Sequence, residues 1–79
     1  MTTFRVFTND VDNGRGYSAF GQVKALTLAA ARVKARAMVP FGCKVLVIAN
    51  AEKDLWPDSQ TGQVDAALLR ERGNFARFA

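Results

Sequence analysis

The apolar run CKVLVIANA, residues 43–51, constrains the fold of this chain more than any other segment. Side chains on a strand alternate between two faces, so Val45 and Val47 would point one way and Leu46 and Ile48 the other. A strand that is apolar on both faces is typical of a sheet interior. A chain of 79 residues is close to the lower size limit for a self-sufficient core. We therefore predict a central strand that has neighbours on both sides or contacts a second copy.

The N-terminal segment TFRVFT is rich in β-branched and aromatic residues, which predicts a strand. Asn13-Gly14 is a strong signal for a tight turn, because both residues tolerate the positive φ that such turns need. Residues 3–10 and 15–20 are therefore interpreted as a β-hairpin with Arg15 exposed at its tip. The glycines of this stretch raise the alternative of a phosphate-binding loop. Their spacing matches neither the dinucleotide fingerprint nor the Walker pattern, so we favour the turn.

Residues 22–39 change to the period of a helix and contain no internal glycine or proline. The segment is rich in alanine, which has the highest helix propensity, and Pro40 ends it. The residues predicted to form its buried face are Val23, Leu26, Ala30, Val33 and Ala37.

The opposite side of this predicted helix carries a ridge of cations. Lys24, Arg32 and Arg36 are separated by multiples of four residues, which places them along one side of a helix. Lys34 lies off the ridge, near the apolar face, where its long stem could reach water. We predict that these residues, supported by Arg15, contact a partner; the alternative is a solvated face.

Residues 52–62 predict a loop that contains Trp56 and several acids. The tryptophan is interpreted either as a lid over the core or as an exposed anchor for a partner, since tryptophan is enriched at interface hot spots. We predict a short second helix in residues 63–73 that ends at Gly73. The alternative is that the first half of this segment forms a strand.

Reactive residues are scarce. The chain has no histidine and one cysteine, Cys43, so it lacks the usual general base and cannot form an internal disulfide. A structural zinc site is not expected without histidine ligands and with a single thiol. We expect no enzymatic activity, no catalytic residue, no metal site and no cofactor.

The net charge of +4 is unevenly distributed. Residues 22–44 contain five cations and no acid, whereas residues 45–69 are mainly acidic, a pattern suited to an electrostatically complementary partner. The N-terminus lacks the features of a signal peptide, and the longest apolar run is too short to span a membrane. We expect a cytoplasmic protein with no membrane contact.

The order of these elements predicts a single α+β domain over residues 1–79. A small antiparallel sheet, made of the N-terminal hairpin and the central strand, would carry the main helix on one face. A short C-terminal helix or strand follows. The second face of the sheet, with Phe7, Leu46 and Ile48, would need cover, and we predict that a homodimer supplies it.

In its length, its MTTFRVFT opening, its hairpin and its basic alanine-rich helix, the chain resembles small phage-encoded anti-CRISPR proteins. The resemblance implies a non-enzymatic inhibitor that binds a type I CRISPR surveillance complex in the cytoplasm of a bacterial host and blocks it sterically. Many such inhibitors are acidic mimics of nucleic acid, whereas this chain is basic. The alternative is a small basic nucleic-acid-binding module or phage regulator, in which the cationic helix would contact phosphates.

Overall fold

The computed structural model describes residues 1–9, 16–40, 42–58, 60–72 and, for the backbone, 75–76. Its elements, in chain order, are β1 (Thr2–Asn9), β2 (Ser18–Ala25), α1 (Leu28–Met38), β3 (Lys44–Ala49), a 3₁₀ turn (Lys53–Leu55), α2 (Ala66–Arg72) and β4 (Phe75–Ala76).

The strands form one antiparallel sheet in the order β2-β1-β3-β4. β1 lies between β2 and β3, so that Phe4 pairs with Val23 on one side and with Ala49 on the other. The register of β1 with β2 shifts between Val6 and Phe7, which marks a β-bulge. The predicted strand in residues 43–51 is confirmed, and so is the pairing of the first two strands, but the second strand runs from Ser18 to Ala25 instead of ending at residue 20. The predicted turn at Asn13-Gly14 lies outside the described residues.

One face of the sheet packs against α1. Phe4 and Val6 from β1 meet Val45 and Val47 from β3 there. The helix contributes mainly alanines, and Ala31 is completely buried. Small side chains allow the helix axis to lie close to the sheet, so the bulk of this core comes from the strands.

The other face of the sheet is covered by the same chain. Leu46 and Ile48 are completely buried there with Leu55 from the 3₁₀ turn and Leu69 from α2. The partly buried side chains that border this second core are Tyr17, Trp56, Val64 and Leu68. The prediction of a homodimer rests on the small size of the core and on an uncovered face, and the structure removes the second of these reasons. The oligomeric state itself stays a prediction.

The boundary between the second strand and the helix differs from the prediction. Residues 22–25 belong to β2, where Val23 and Ala25 pack on the core while Gln22 and Lys24 are exposed. This alternation is the period of a strand. The helix begins only after Thr27, whose hydroxyl accepts a hydrogen bond from the N–H of Ala30 at 3.1 Å. Threonine at this position satisfies an otherwise unpaired N–H of the first turn.

The α+β fold is confirmed: one main helix packs on one face of an antiparallel sheet, and a short C-terminal helix follows. Within the described residues, none of the helices has the length and apolar character needed to cross a membrane.

Candidate binding surface

The outward side of α1 is apolar, which is unusual for a helix side that faces water. Ala31 and Ala35 point into the core. With about 3.6 residues per turn, the outermost positions are Ala29, Val33 and Ala37, and all three are exposed. The predicted buried face is therefore wrong at Leu26, Val33 and Ala37, whereas Val23 and Ala30 do pack against the core. The side of the helix that packs on the sheet is instead the side that carries Ala31 and Ala35.

Apart from Met1, the large exposed apolar side chains of the described residues belong to β2, to α1 or to the turn between them. In the described part of the chain, Leu26 is 81% exposed and Val33 is 67% exposed. Phe20 on β2 and Met38 at the end of α1 are exposed to a lesser degree. Single exposed apolar residues are common on protein surfaces, but several within one strand–helix unit indicate a contact surface.

The predicted ridge of three cations does not exist as one surface. Lys24 lies on β2 between two residues that face α1, so its side chain points to the opposite face of the sheet. Arg32 and Arg36 remain together, one turn apart on the same flank of the helix. The ridge prediction was wrong at Lys24 because β2 continues to Ala25.

Lys34 lies on the other flank of α1, toward β2. Its ammonium donates a hydrogen bond to the main-chain oxygen of Lys24 at 2.6 Å. The long side chain thus reaches from the helix to the edge of the sheet, where its ammonium binds a main-chain carbonyl instead of extending into water as predicted. On the opposite flank, the Nε of Arg32 is buried and has no partner among the described residues. Cations therefore border the apolar side of α1 on both flanks.

We call this region the α1 surface and define it by its apolar centre and its cationic rim. The residues that form it are Leu26, Ala29, Arg32, Val33, Lys34, Arg36 and Ala37. The sequence contains no acid between Asp12 and Glu52, so α1 and β2 have no carboxylate of their own to neutralise the rim. An apolar centre surrounded by charged residues is the usual anatomy of a protein–protein interface.

Trp56 packs onto the second core. Its ring lies 5.8 Å from the ring of Phe7 in an edge-to-face arrangement. The guanidinium of Arg5 lies 5.1 Å from the centre of the indole, and the ammonium of Lys53 lies 5.8 Å from it. The indole N–H is buried without a partner in the described structure. This packing has the form of a lid; a role of Trp56 in partner binding stays a prediction.

The loop beside Trp56 is organised by Asp58. Its carboxylate accepts hydrogen bonds from the N–H groups of Gln60 at 2.8 Å and Thr61 at 3.0 Å. These two hydrogen bonds hold the pKa of the Asp58 carboxyl below its ordinary value, and the bond from Gln60 has the larger effect. A cleft of about 480 Å³ lies between this loop and the start of β2, with Phe7 and Tyr17 in its wall.

Arg15 lies outside the described residues. Cys43 is a free thiol, partly buried against the core beneath α1. Among the described residues, no group of three histidine, cysteine or acidic side chains is placed to hold a metal ion.

Sequence reasoning missed the apolar stripe and the edge of β2. Both could have been predicted from Thr27, because a helix whose N-cap is at this position does not include Val23 and Leu26. The remaining pattern of Leu28, Ala31 and Ala35 then identifies the buried face.

Comparisons with protein-family models, with curated proteins and with solved structures returned no match.

Proposed function

We propose that this protein is a non-enzymatic binding protein that recognises an acidic protein surface through the α1 surface. Its proposed target is a type I CRISPR surveillance complex, which it would inhibit by steric blockade. The observation that carries the binding role is the apolar outer side of α1, with Leu26 and Val33 largely exposed between cations on both flanks.

Burial of the exposed apolar side chains of this surface would stabilise a complex with a partner. Full burial of a leucine or valine side chain contributes about 1.5–3 kcal/mol. In the isolated protein, Leu26 and Val33 gain little of this, because they face water. An arginine at the rim, such as Arg32, adds orientation and selectivity for carboxylates, because a guanidinium can bind a carboxylate with two parallel hydrogen bonds.

The choice of target is supported by the resemblance in chain length and architecture to small anti-CRISPR proteins. Steric inhibition needs no chemistry from the inhibitor, only a surface that covers a working part of the complex. A small domain with one interface-like helix suits that role.

Nucleic acid is the second candidate partner, because α1 and β2 carry cations and no acid. The geometry gives it less support. Contacts to a phosphate backbone need cations along one track, whereas Lys24 faces away from Arg32 and Arg36 and the outermost line of α1 is apolar.

The test uses Val33→Glu, with Ala67→Glu as the matched control. Ala67 is also an exposed apolar position on a helix, but it lies on α2. We expect the wild-type protein to inhibit target-DNA cleavage by purified type I complexes at a stoichiometric ratio. Val33→Glu should weaken inhibition by about tenfold or more, which corresponds to about 1.4 kcal/mol. Ala67→Glu should inhibit like the wild type, and both variants should keep the wild-type melting temperature.

The double reversal Arg32→Glu/Arg36→Glu tests the rim in the same assay and should also lose inhibition. If the wild type binds no type I complex, the proposed target is wrong. If it instead binds random duplex DNA with an affinity that falls steeply with salt, the nucleic-acid alternative is correct.

A further inference from the structure

The outer edge of β2 presents main-chain groups that the sheet does not use. The carbonyl of Thr3 accepts a hydrogen bond from the N–H of Asn50, so the main-chain groups of Thr3 point toward β3. In an antiparallel ladder, successive residues point alternately to the two neighbouring strands. Lys24 pairs with Thr3, and Gln22 pairs with Arg5, so both have main-chain groups directed away from β1.

The hydrogen bond made by Lys34 agrees with this outward direction of the main-chain groups of Lys24. Its ammonium reaches the carbonyl of Lys24 from α1, which places that carbonyl at the open edge. The N–H groups of Gln22 and Lys24 and the carbonyl of Gln22 have no hydrogen-bond partner among the described residues. An edge strand of this kind is a template for a further strand.

We propose that β2 accepts an extended segment of the acidic partner as an additional strand of the sheet. This inference rests on the proposed function, because it assigns to the same partner a further contact on the strand beside the α1 surface. The charge of the edge selects the occupant. Lys24 and Lys34 lie at the edge, and neither β2 nor α1 contains an acid. A second copy of this chain would bring like charges together, whereas an acidic segment neutralises them.

The two faces of the edge predict the side-chain pattern of the added strand. On the face that carries α1, the terminal carbon of Met38 lies close to Gly21, at 3.0 Å from where a Cβ would stand. An apolar side chain of the added strand would pack there. On the opposite face, Lys24 favours a carboxylate. Strand addition therefore favours segments that alternate apolar and acidic residues.

The test uses a synthetic peptide of alternating glutamate and valine, as long as β2, and a control peptide in which lysine replaces glutamate. We expect the acidic peptide to bind saturably and to slow hydrogen exchange of the Gln22 and Lys24 amides, measured by NMR. Gln22→Pro removes the outward N–H without removing a bond to β1, and it should abolish binding. Gln22→Ala keeps the N–H and should bind like the wild type.

Three results would overturn strand addition: no binding of the acidic peptide to the wild type, equal binding of the lysine peptide, or binding that leaves both amides exchanging as in the free protein. A Gln22→Pro variant that is folded and binds normally would overturn it as well. The proposed function is tested separately, by the inhibition assay. If Val33→Glu loses inhibition of the complex and Gln22→Pro retains it, the α1 surface binds the complex and the strand-addition mode is wrong.

Discussion

At the scale of single residues, Gly16 and Gly62 meet backbone to backbone. Both have positive φ, at 55° and 68°. The N–H of Tyr17 donates to the carbonyl of Gly62 at 2.8 Å, which joins the start of β2 to the loop that contains Asp58. A Cβ on Gly16 would lie 2.6 Å from the carbonyl oxygen of Thr61. The glycine that suggested a phosphate loop in the sequence is thus explained by a contact within the protein.

We expect Gly62→Ala to destabilise the protein by at least about 1–2 kcal/mol, the cost of a left-handed conformation for a residue with a Cβ. The new Cβ would also lie 2.8 Å from the nitrogen of Tyr17. Gly21→Ala is the control, because its Cβ would meet the flexible end of Met38. Its free energy of unfolding should stay within about 0.5 kcal/mol of wild type. Urea unfolding measures both, and equal losses would contradict this explanation.

Asp58 gives the loop a pH dependence. A carboxyl whose pKa is lowered by folding stabilises the folded state above its ordinary pKa, and this contribution is lost as the pH falls through the lowered pKa. We expect the amide signals of Gln60 and Thr61 to titrate together, with a midpoint below the ordinary aspartate value. Asp58→Asn keeps an acceptor oxygen and should remove the titration. A midpoint at or above the ordinary value would show that the two hydrogen bonds do not form in solution.

At the scale of elements, the start of α1 decides which side of the helix is buried. The segment is so rich in alanine that more than one face has an apolar pattern. A helix that began at residue 22 would include Val23 and Leu26 in its core face. The N-cap at Thr27 excludes them and leaves Ala31 and Ala35 as the packed residues.

Thr27→Ala should therefore cost about 1 kcal/mol, because it leaves the N–H of Ala30 without its acceptor. Thr27→Ser retains the hydroxyl and should remain close to wild type. Thermal unfolding followed by circular dichroism measures the difference. Equal stability of the alanine and serine variants would mean that the helix does not begin at this cap.

At the scale of the whole molecule, one sheet separates two cores that the same chain completes. The alanines of α1 close one core, and the segment from the 3₁₀ turn to α2 closes the other. Acids are confined to the N-terminal segment and to the part from Glu52 onward, where Glu52 forms an ion pair with Arg72 at 3.1 Å. The β2–α1 unit is left uniformly cationic.

Leu69→Ala tests this arrangement. Leu69 is completely buried over Leu46 and Ile48, so its truncation should cost about 2–5 kcal/mol. Leu68 is only partly buried, and Leu68→Ala should cost clearly less. If α2 is what covers the second face, the Leu69 variant should also self-associate more than wild type in sedimentation experiments. Similar behaviour of the two variants would show that α2 is not an essential cover.

Local properties of the chain are enough to predict a hairpin, the strand within residues 43–51 and a helix that ends before Pro40. Those properties are the side-chain period, the β-branched content and the missing N–H of proline. The buried side of α1 and the direction of Lys24 depend instead on contacts between separate segments of the fold. Several alanine faces satisfy the helical period equally well, and the choice among them depends on the sheet residues that need cover. The position of Lys24 follows from the register of β2 with β1, which is set by pairing between segments distant along the chain.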